Sequence, residues 1–278
     1  MFVPIAPAFA TRLALFAPPY DQFQPLDLDW QSNELPPRGL AIIWWLVDGI
    51  DQEDQFEWLA YRPYGVPLFV ILPPASELGR ALPLLRFVNA LAPRAVLPSG
   101  AIVAPRYIKQ ILSMPPKDFA RTVGSYLEIR GLLRTPGIRK EVEQIFRLVP
   151  AVSSISALAR RMSTSRRTLG RHFSAAGLPV PSHWLQFARL LFASIHLQAE
   201  RATVFRIAAR AGYPDGFTMS NQMKRLIGCR PTEVREALGW EWVVESWIRH
   251  EATSGGIDPV RFESAVRVYL PGSESPPE

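Results

Sequence analysis

Apolar residues follow two different patterns along this chain, and the change comes near residue 115. Before it, short runs that are apolar on both faces alternate with amphipathic stretches. Residues 41–47 form a continuous run rich in β-formers, closed by Asp48 and Gly49. Residues 67–72 form a second run, closed by Pro73 and Pro74; 95–97 form a short third, and 12–16 a candidate fourth. Helix-like stretches at 52–60, 77–91 and 105–112 alternate with these runs. In the second stretch Leu78, Leu82, Leu85 and Val88 share one stripe. Strands without a polar face, alternating with amphipathic helices, predict an α/β N-terminal domain: a small parallel sheet covered by helices.

Beyond residue 115 the period becomes helical. Pro115 and Pro116 interrupt the chain, 118–133 read as helix, and Thr135-Pro136-Gly137 break it again. Residues 138–148 carry Val142, Ile145 and Phe146 on one side, and nearly everything from there to about 249 reads as helix. The expected division is therefore 1–115 as an α/β regulatory or dimerisation domain, 116–137 as a helical linker and 138–250 as an all-α domain. The tail, 251–278, is expected to be largely irregular. It holds Gly255-Gly256, one β-like run at 264–270 and a Pro/Ser/Glu-rich end whose last eight residues are expected to be disordered.

Within the all-α domain one pattern occurs twice. An alanine on a short apolar helix (Ala159, Ala208) is followed four residues later by a break (Ser163, Gly212) and then by a second helix with a polar outer face. A small residue at a close helix crossing, a tight turn and a following helix give helix-turn-helix spacing. In the first copy Ser153 or Ser154 caps the leading helix. The next helix starts at Thr164 and Ser165, with Leu169 and Phe173 inward and Arg166, Arg167, Gly170 and Arg171 outward. In the second copy Asp215 caps a helix whose inner stripe is Met219, Met223 and Leu226. Phe217, Thr218, Asn221, Gln222 and Arg225 face outward. Between the copies Trp184, Phe187, Ala188, Leu191, Phe192 and Ile195 cover several faces of one long helix, which marks a central rod rather than a surface helix.

Charge strengthens the case for a nucleic-acid partner. The 278 residues carry a net +6, but 1–135 hold 12 Lys/Arg against 12 Asp/Glu, whereas 136–250 hold 17 against 8. Nearly all of those 17 are arginine, which forks onto phosphate or guanine. A cationic domain gains sequence-independent affinity by releasing counterions from a phosphate backbone. The single cysteine, Cys229, excludes an internal disulfide and suits a reducing, cytoplasmic setting. The longest apolar run, 40–47, is too short for a membrane span, and the N-terminus lacks the basic start of a secretory leader.

The run from Gly212 to Arg235 resembles the signature of AraC/XylS-type transcription regulators. Gly212, Tyr213, Asp215, Lys224, Arg225, Gly228, Pro231 and Arg235 match it without a gap, and the stretch from Leu158 to Gly177 matches the family's first helix-turn-helix more loosely. The resemblance spans about 138–238. It implies a seven-helix domain with two reading helices, acting on bacterial promoters. Double-stranded DNA is then the partner, with RNA polymerase and a second copy of the chain, through the N-terminal domain, as further candidates. The DNA-binding residues expected on these grounds are Ser165, Arg166, Arg167, Gly170 and Arg171 in the first half. Thr218, Asn221, Gln222 and Arg225 are expected in the second. This chain departs from the family at Met219 and Met223, where aromatics are usual, and at Asn221, where an arginine is usual. The first half is therefore expected to dominate affinity.

The N-terminal alternation resembles receiver or flavodoxin-like domains, with Asp48 at the position of a phosphoacceptor. The acidic pair and the lysine of a working receiver are missing, so a degenerate, non-phosphorylated domain is expected. Phosphorylation at Asp48 with DNA binding as output is the alternative. No catalytic constellation, metal site or cofactor motif is found: His172, His183, His196 and His250 lack ligand spacing, and there is no phosphate-cradling glycine loop. An enzyme is not expected.

Overall fold

Five short strands build the N-terminal sheet of this computed structural model: β1 (Leu13–Phe16), β2 (Phe23–Pro25), β3 (Ala41–Trp45), β4 (Leu68–Ile71) and β5 (Ala95–Leu97). The structure describes residues 13–26, 37–46, 56, 58–74, 76, 78, 79, 85, 88–98, 104–149, 151, 152 and 154–257. The chain divides after Leu112 into two units, the second being Ser113–Val266.

Strand order is β2-β1-β3-β4-β5. Strands β3, β4 and β5 are parallel, with Ile42 opposite Leu68 and Phe69 opposite Ala95. Strand β1, however, runs antiparallel to both β2 and β3. The expectation of a parallel sheet is corrected here: the sheet is mixed. Chain length gives the reason for the β1–β2 pair, whose short link can only close a hairpin. Parallel neighbours need a crossover of about a dozen residues or more. Only residues 17–22 separate β1 from β2, whereas 46–67 and 72–94 separate the parallel strands. Strands β3 and β4 are buried along their whole length, as their unbroken apolar runs require. Leu13, Ile42, Trp44, Leu68 and Val70 pack with Leu59, Val88 and Leu91 into one core. Helix α1 (Pro105–Ser113) sends the Lys109 ammonium to the Pro19 carbonyl at 3.1 Å and over the Tyr20 ring. Asp48, the candidate phosphoacceptor, lies outside the described residues, as do most of 77–87 and residues 258–278.

The second unit is helical: α2 (Phe119–Ile129), α3 (Pro136–Leu148), α4 (Ile155–Arg161), α5 (Arg166–Ala175), α6 (Pro181–Ala199), α7 (Val204–Arg210), α8 (Gly216–Ile227), α9 (Pro231–Glu236) and α10 (Glu241–Thr253). Side-chain oxygens of Asp118, Thr135, Ser154, Ser165, Thr203 and Asp215 each accept a bond from the backbone N–H three residues on, which fixes where six of these helices begin. Eleven residues of α6 are buried, Trp184, Phe187, Leu190 and Leu191 completely, so this helix is the rod on which the others pack. Residues 116–137 hold α2, whose Ala120, Val123 and Leu127 join the same core as α6. An aromatic chain runs through that core. Phe119 meets Phe146 edge-on at 5.3 Å, Phe146 meets Phe187 at 5.8 Å, and Phe187 stacks on Trp247 at 3.9 Å.

Helices α2 and α10 are tied by a buried polar cluster. The Tyr126 hydroxyl donates to Glu245 Oε1 at 2.9 Å, and Arg130 Nε donates to the same oxygen at 3.1 Å. Burial pushes the Glu245 carboxyl up from the usual range, against the pull of Arg130 and Tyr126. Burial also raises the Tyr126 phenol well above its ordinary value of 10.0, and the Glu245 charge adds to this. Tyr213 is likewise raised by burial. The unfolded chain therefore releases the two phenol protons first. The stabilisation is complete below about pH 10 and is lost as pH rises above it toward the folded values. Melting followed by circular dichroism from about pH 8 to about pH 11 should show a fall in Tm above pH 10. That fall should be shallower in the Tyr126→Phe/Tyr213→Phe variant; an identical slope excludes these two phenols as its source.

Candidate nucleic-acid interface

Two helix pairs, α4–α5 and α7–α8, flank the rod, and their turns are built alike. At the end of α4, Ser163 takes a left-handed φ of 53°, its N–H bonds Arg160 O, and Thr164 N–H reaches back to Ala159 O at 3.0 Å. At the end of α7, Gly212 takes a φ of 78°, its N–H bonds Ala209 O, and Tyr213 N–H reaches Ala208 O at 2.9 Å. Both are the reciprocal end-bonding that closes a helix with one left-handed residue. Ala159 and Ala208, the small residues of the repeated pattern, supply the back-bonded carbonyls and are buried. Glycine meets the left-handed requirement at no steric cost at 212, while serine bears it at 163.

Helix α5 presents the cationic face. Leu169 and Phe173 point into the core. Arg166, Arg167 and Arg171 are exposed, and no hydrogen bond or ion pair holds them among the described residues. Ser165 is the cap itself: its hydroxyl accepts from Thr168 N–H at 3.0 Å. Gly170 is half-buried on the same helix, yet a Cβ placed there would meet nothing within 4 Å. Packing therefore does not demand glycine at 170, and mid-helix glycine costs about 1 kcal/mol relative to alanine. Gly170→Ala is expected to raise Tm while weakening DNA binding, because the added methyl enters the space in front of the helix. Unchanged DNA affinity in that variant would place Gly170 away from the ligand.

On α8, Met219, Met223 and Leu226 are buried as the inner stripe and Asp215 caps the helix. Hydrogen bonds from Thr218, first its backbone N–H and then its hydroxyl, hold the Asp215 carboxyl below its usual range. Gln222 is half-buried, and its Nε2 donates to Gln186 Oε1 at 3.2 Å. Arg225 donates to the same oxygen at 3.1 Å. Asn221 is exposed with no partner among the described residues.

The sequence reading missed Gln186. It lies on α6 between buried residues, and a lone amide on an otherwise apolar stretch was the available signal. Several other arginines of the basic segment are structural. Arg235 donates to the carbonyls of Glu200 at 2.6 Å and Ala202 at 2.7 Å, which fastens the α6–α7 connection. Arg210 grips the Glu200 carboxylate, and Arg189 donates to Val152 O. Arg160, Arg161, Arg201 and Arg206, unpaired among the described residues, join those of α5 at the surface.

Comparison with known proteins places a DNA-binding class on this half of the chain. A family described as a helix-turn-helix domain matches residues 158–237, from α4 through α9. This match supports a DNA-binding transcription regulator. No curated protein matches the chain. Among solved structures, the chain is similar to the C-terminal domain of the two-component response regulator yesN from Fusobacterium nucleatum. It is 20% identical, with 36% of this chain and 99% of that chain covered and a TM-score of 0.32. No helix among the described residues is long and apolar enough to cross a membrane.

Proposed function

We propose that the chain is a sequence-specific transcription regulator of the AraC type that sets α5 and α8 into successive major grooves of double-stranded DNA. The observation that carries this reading is the pair of like-built turns on either side of one rigid helix, each followed by a helix whose outer face is exposed, with free arginines on α5 and a free Asn221 on α8 among the described residues. The 19 residues of α6 span about 28 Å at 1.5 Å per residue, close to the ~34 Å between groove segments on one side of the duplex. Arg166, Arg167 and Arg171 bind phosphate or guanine; Asn221 suits adenine; Thr218 flanks it, and Gln222 and Arg225, both held on Gln186, reach DNA only by exchanging that contact. Residues 138–250 do the reading and 116–137 buttress it.

Residues 1–115 serve as a regulatory or dimerisation domain. Three parallel strands in the order β3-β4-β5 favour a receiver-like ancestry for it, and the antiparallel β1 weighs against one. The test is a footprint on duplexes selected by the full chain from a random pool. Two protected patches about one helical turn apart on one face are expected. A single patch overturns the two-groove reading, and no selection of any sequence overturns specific binding altogether.

A further inference from the structure

Two phenylalanines of the helical unit stand almost wholly in solvent: Phe217, 74% exposed, and Phe205, 70% exposed. They flank one spot. Phe217 lies in the first turn of α8, beside Gly216. A Cβ at Gly216 would come within 3.3 Å of Val204 Cγ1 and 3.5 Å of Phe205 Cδ1, so α7 closes directly onto the start of α8. Neither ring contributes to the core, and two exposed phenylalanines on adjoining helices mark a candidate contact surface.

Phe217 is four residues from Asn221, on the same helix face. The other outward groups of α8 are already engaged: Thr218 with Asp215, Gln222 and Arg225 with Gln186. Phe217 and Asn221 are thus the α8 pair with no internal use. Their surroundings are cationic, with unpaired Arg201 and Arg206 close by in sequence on α7 and the turn before it. Phenylalanine and arginine also suit a protein interface, but Phe217 shares its face with Asn221 on α8, the helix proposed to enter the groove. The major groove of DNA suits this mixture, since it presents one apolar group on its base edges, the thymine 5-methyl.

We propose that Phe217 is a base-reading side chain whose ring packs against a thymine 5-methyl in the major groove. Asn221, about 6 Å further along the helix axis, reads a pair about two steps away. This inference rests on the proposed entry of α8 into the groove.

The test uses the full chain and a duplex that it selects from a random pool. Each thymine is replaced in turn by deoxyuridine, which removes the methyl and leaves the hydrogen-bonding edge intact. One replacement in the half-site of α8 should weaken binding about fourfold, the value of one buried methyl. Phe217→Ala should bind the thymine and deoxyuridine duplexes alike, at the wild-type affinity for the latter. Its melting temperature should be unchanged, since the ring is outside the core. If no thymine shows a methyl effect that vanishes in Phe217→Ala, the inference is overturned while groove reading stands. Loss of a protein partner without any change on DNA also overturns it. If the chain selects no duplex, the inference falls together with the reading beneath it.

Discussion

Trp247→Ala is expected to destabilise the helical unit by about 3–5 kcal/mol, the usual cost of deleting a fully buried large aromatic ring. Trp247 has no exposed surface and stacks on Phe187 with centroids 3.9 Å apart and planes 4° from parallel. Trp184 meets it edge-on at 4.8 Å, and Trp184 in turn meets Phe173, the inner residue of α5, at 6.1 Å. These neighbours are rigid rings, so the cavity cannot collapse easily and the loss falls at the upper end of the range. For a unit of this size the drop in Tm is roughly 6–20 °C. Trp247→Phe should cost much less. It keeps a ring in the stack, and the indole Nε1 has no hydrogen-bond partner among the described residues to lose. Thermal melting of the two variants checks both statements, and equal losses would contradict the stacking argument. Trp247 lies outside the matched helix-turn-helix region, so this prediction also measures how far that region depends on α10.

The second large effect is expected at the opposite surface of α5. Replacing Arg166, Arg167 and Arg171 together by alanine should lower affinity for the selected duplex about a hundredfold or more. If all three neutralise phosphates, the slope of log affinity against log salt should become shallower by about 2.7, at 0.9 per phosphate. Melting temperature should stay at the wild-type value, because none of the three is paired or buried. Arg235→Ala should do the reverse and lower stability, since that guanidinium holds two carbonyls of the α6–α7 connection. Gel-shift titrations across a salt series, with melts in parallel, separate the two kinds of arginine. A triple variant that binds DNA as tightly as wild type ends the assignment of α5 as the principal contact.

The helical half was legible because its signals are local. Ser154, Ser165 and Asp215 announce helix starts within three residues, and Leu169, Phe173, Met219 and Met223 keep the helical period. The alanine-to-break spacing could be read because close crossing and a left-handed turn each restrict residue choice. Strand direction in the sheet was harder. The three residues of β2 end in a proline and give almost no periodic signal, so the hairpin that β2 makes with β1 went unseen. The fate of Gln222 was equally hidden. An outward position on a helical wheel says nothing about a partner 36 residues away in sequence. For the same reason the basic charge count could not separate Arg235, which braces the fold, from Arg171, which braces nothing.

The Tyr126–Arg130–Glu245 cluster bears on how the DNA-binding half can be used in isolation. A fragment cut to begin near residue 138 keeps α5 and α8 but removes the phenol and guanidinium donors of Glu245 together with Ala120, Val123 and Leu127, which opens that side of the core to water. A portable version must therefore start upstream of Asp118, the cap of α2, and extend through Thr253, the last residue of α10. The ends of that fragment close on each other like a clasp.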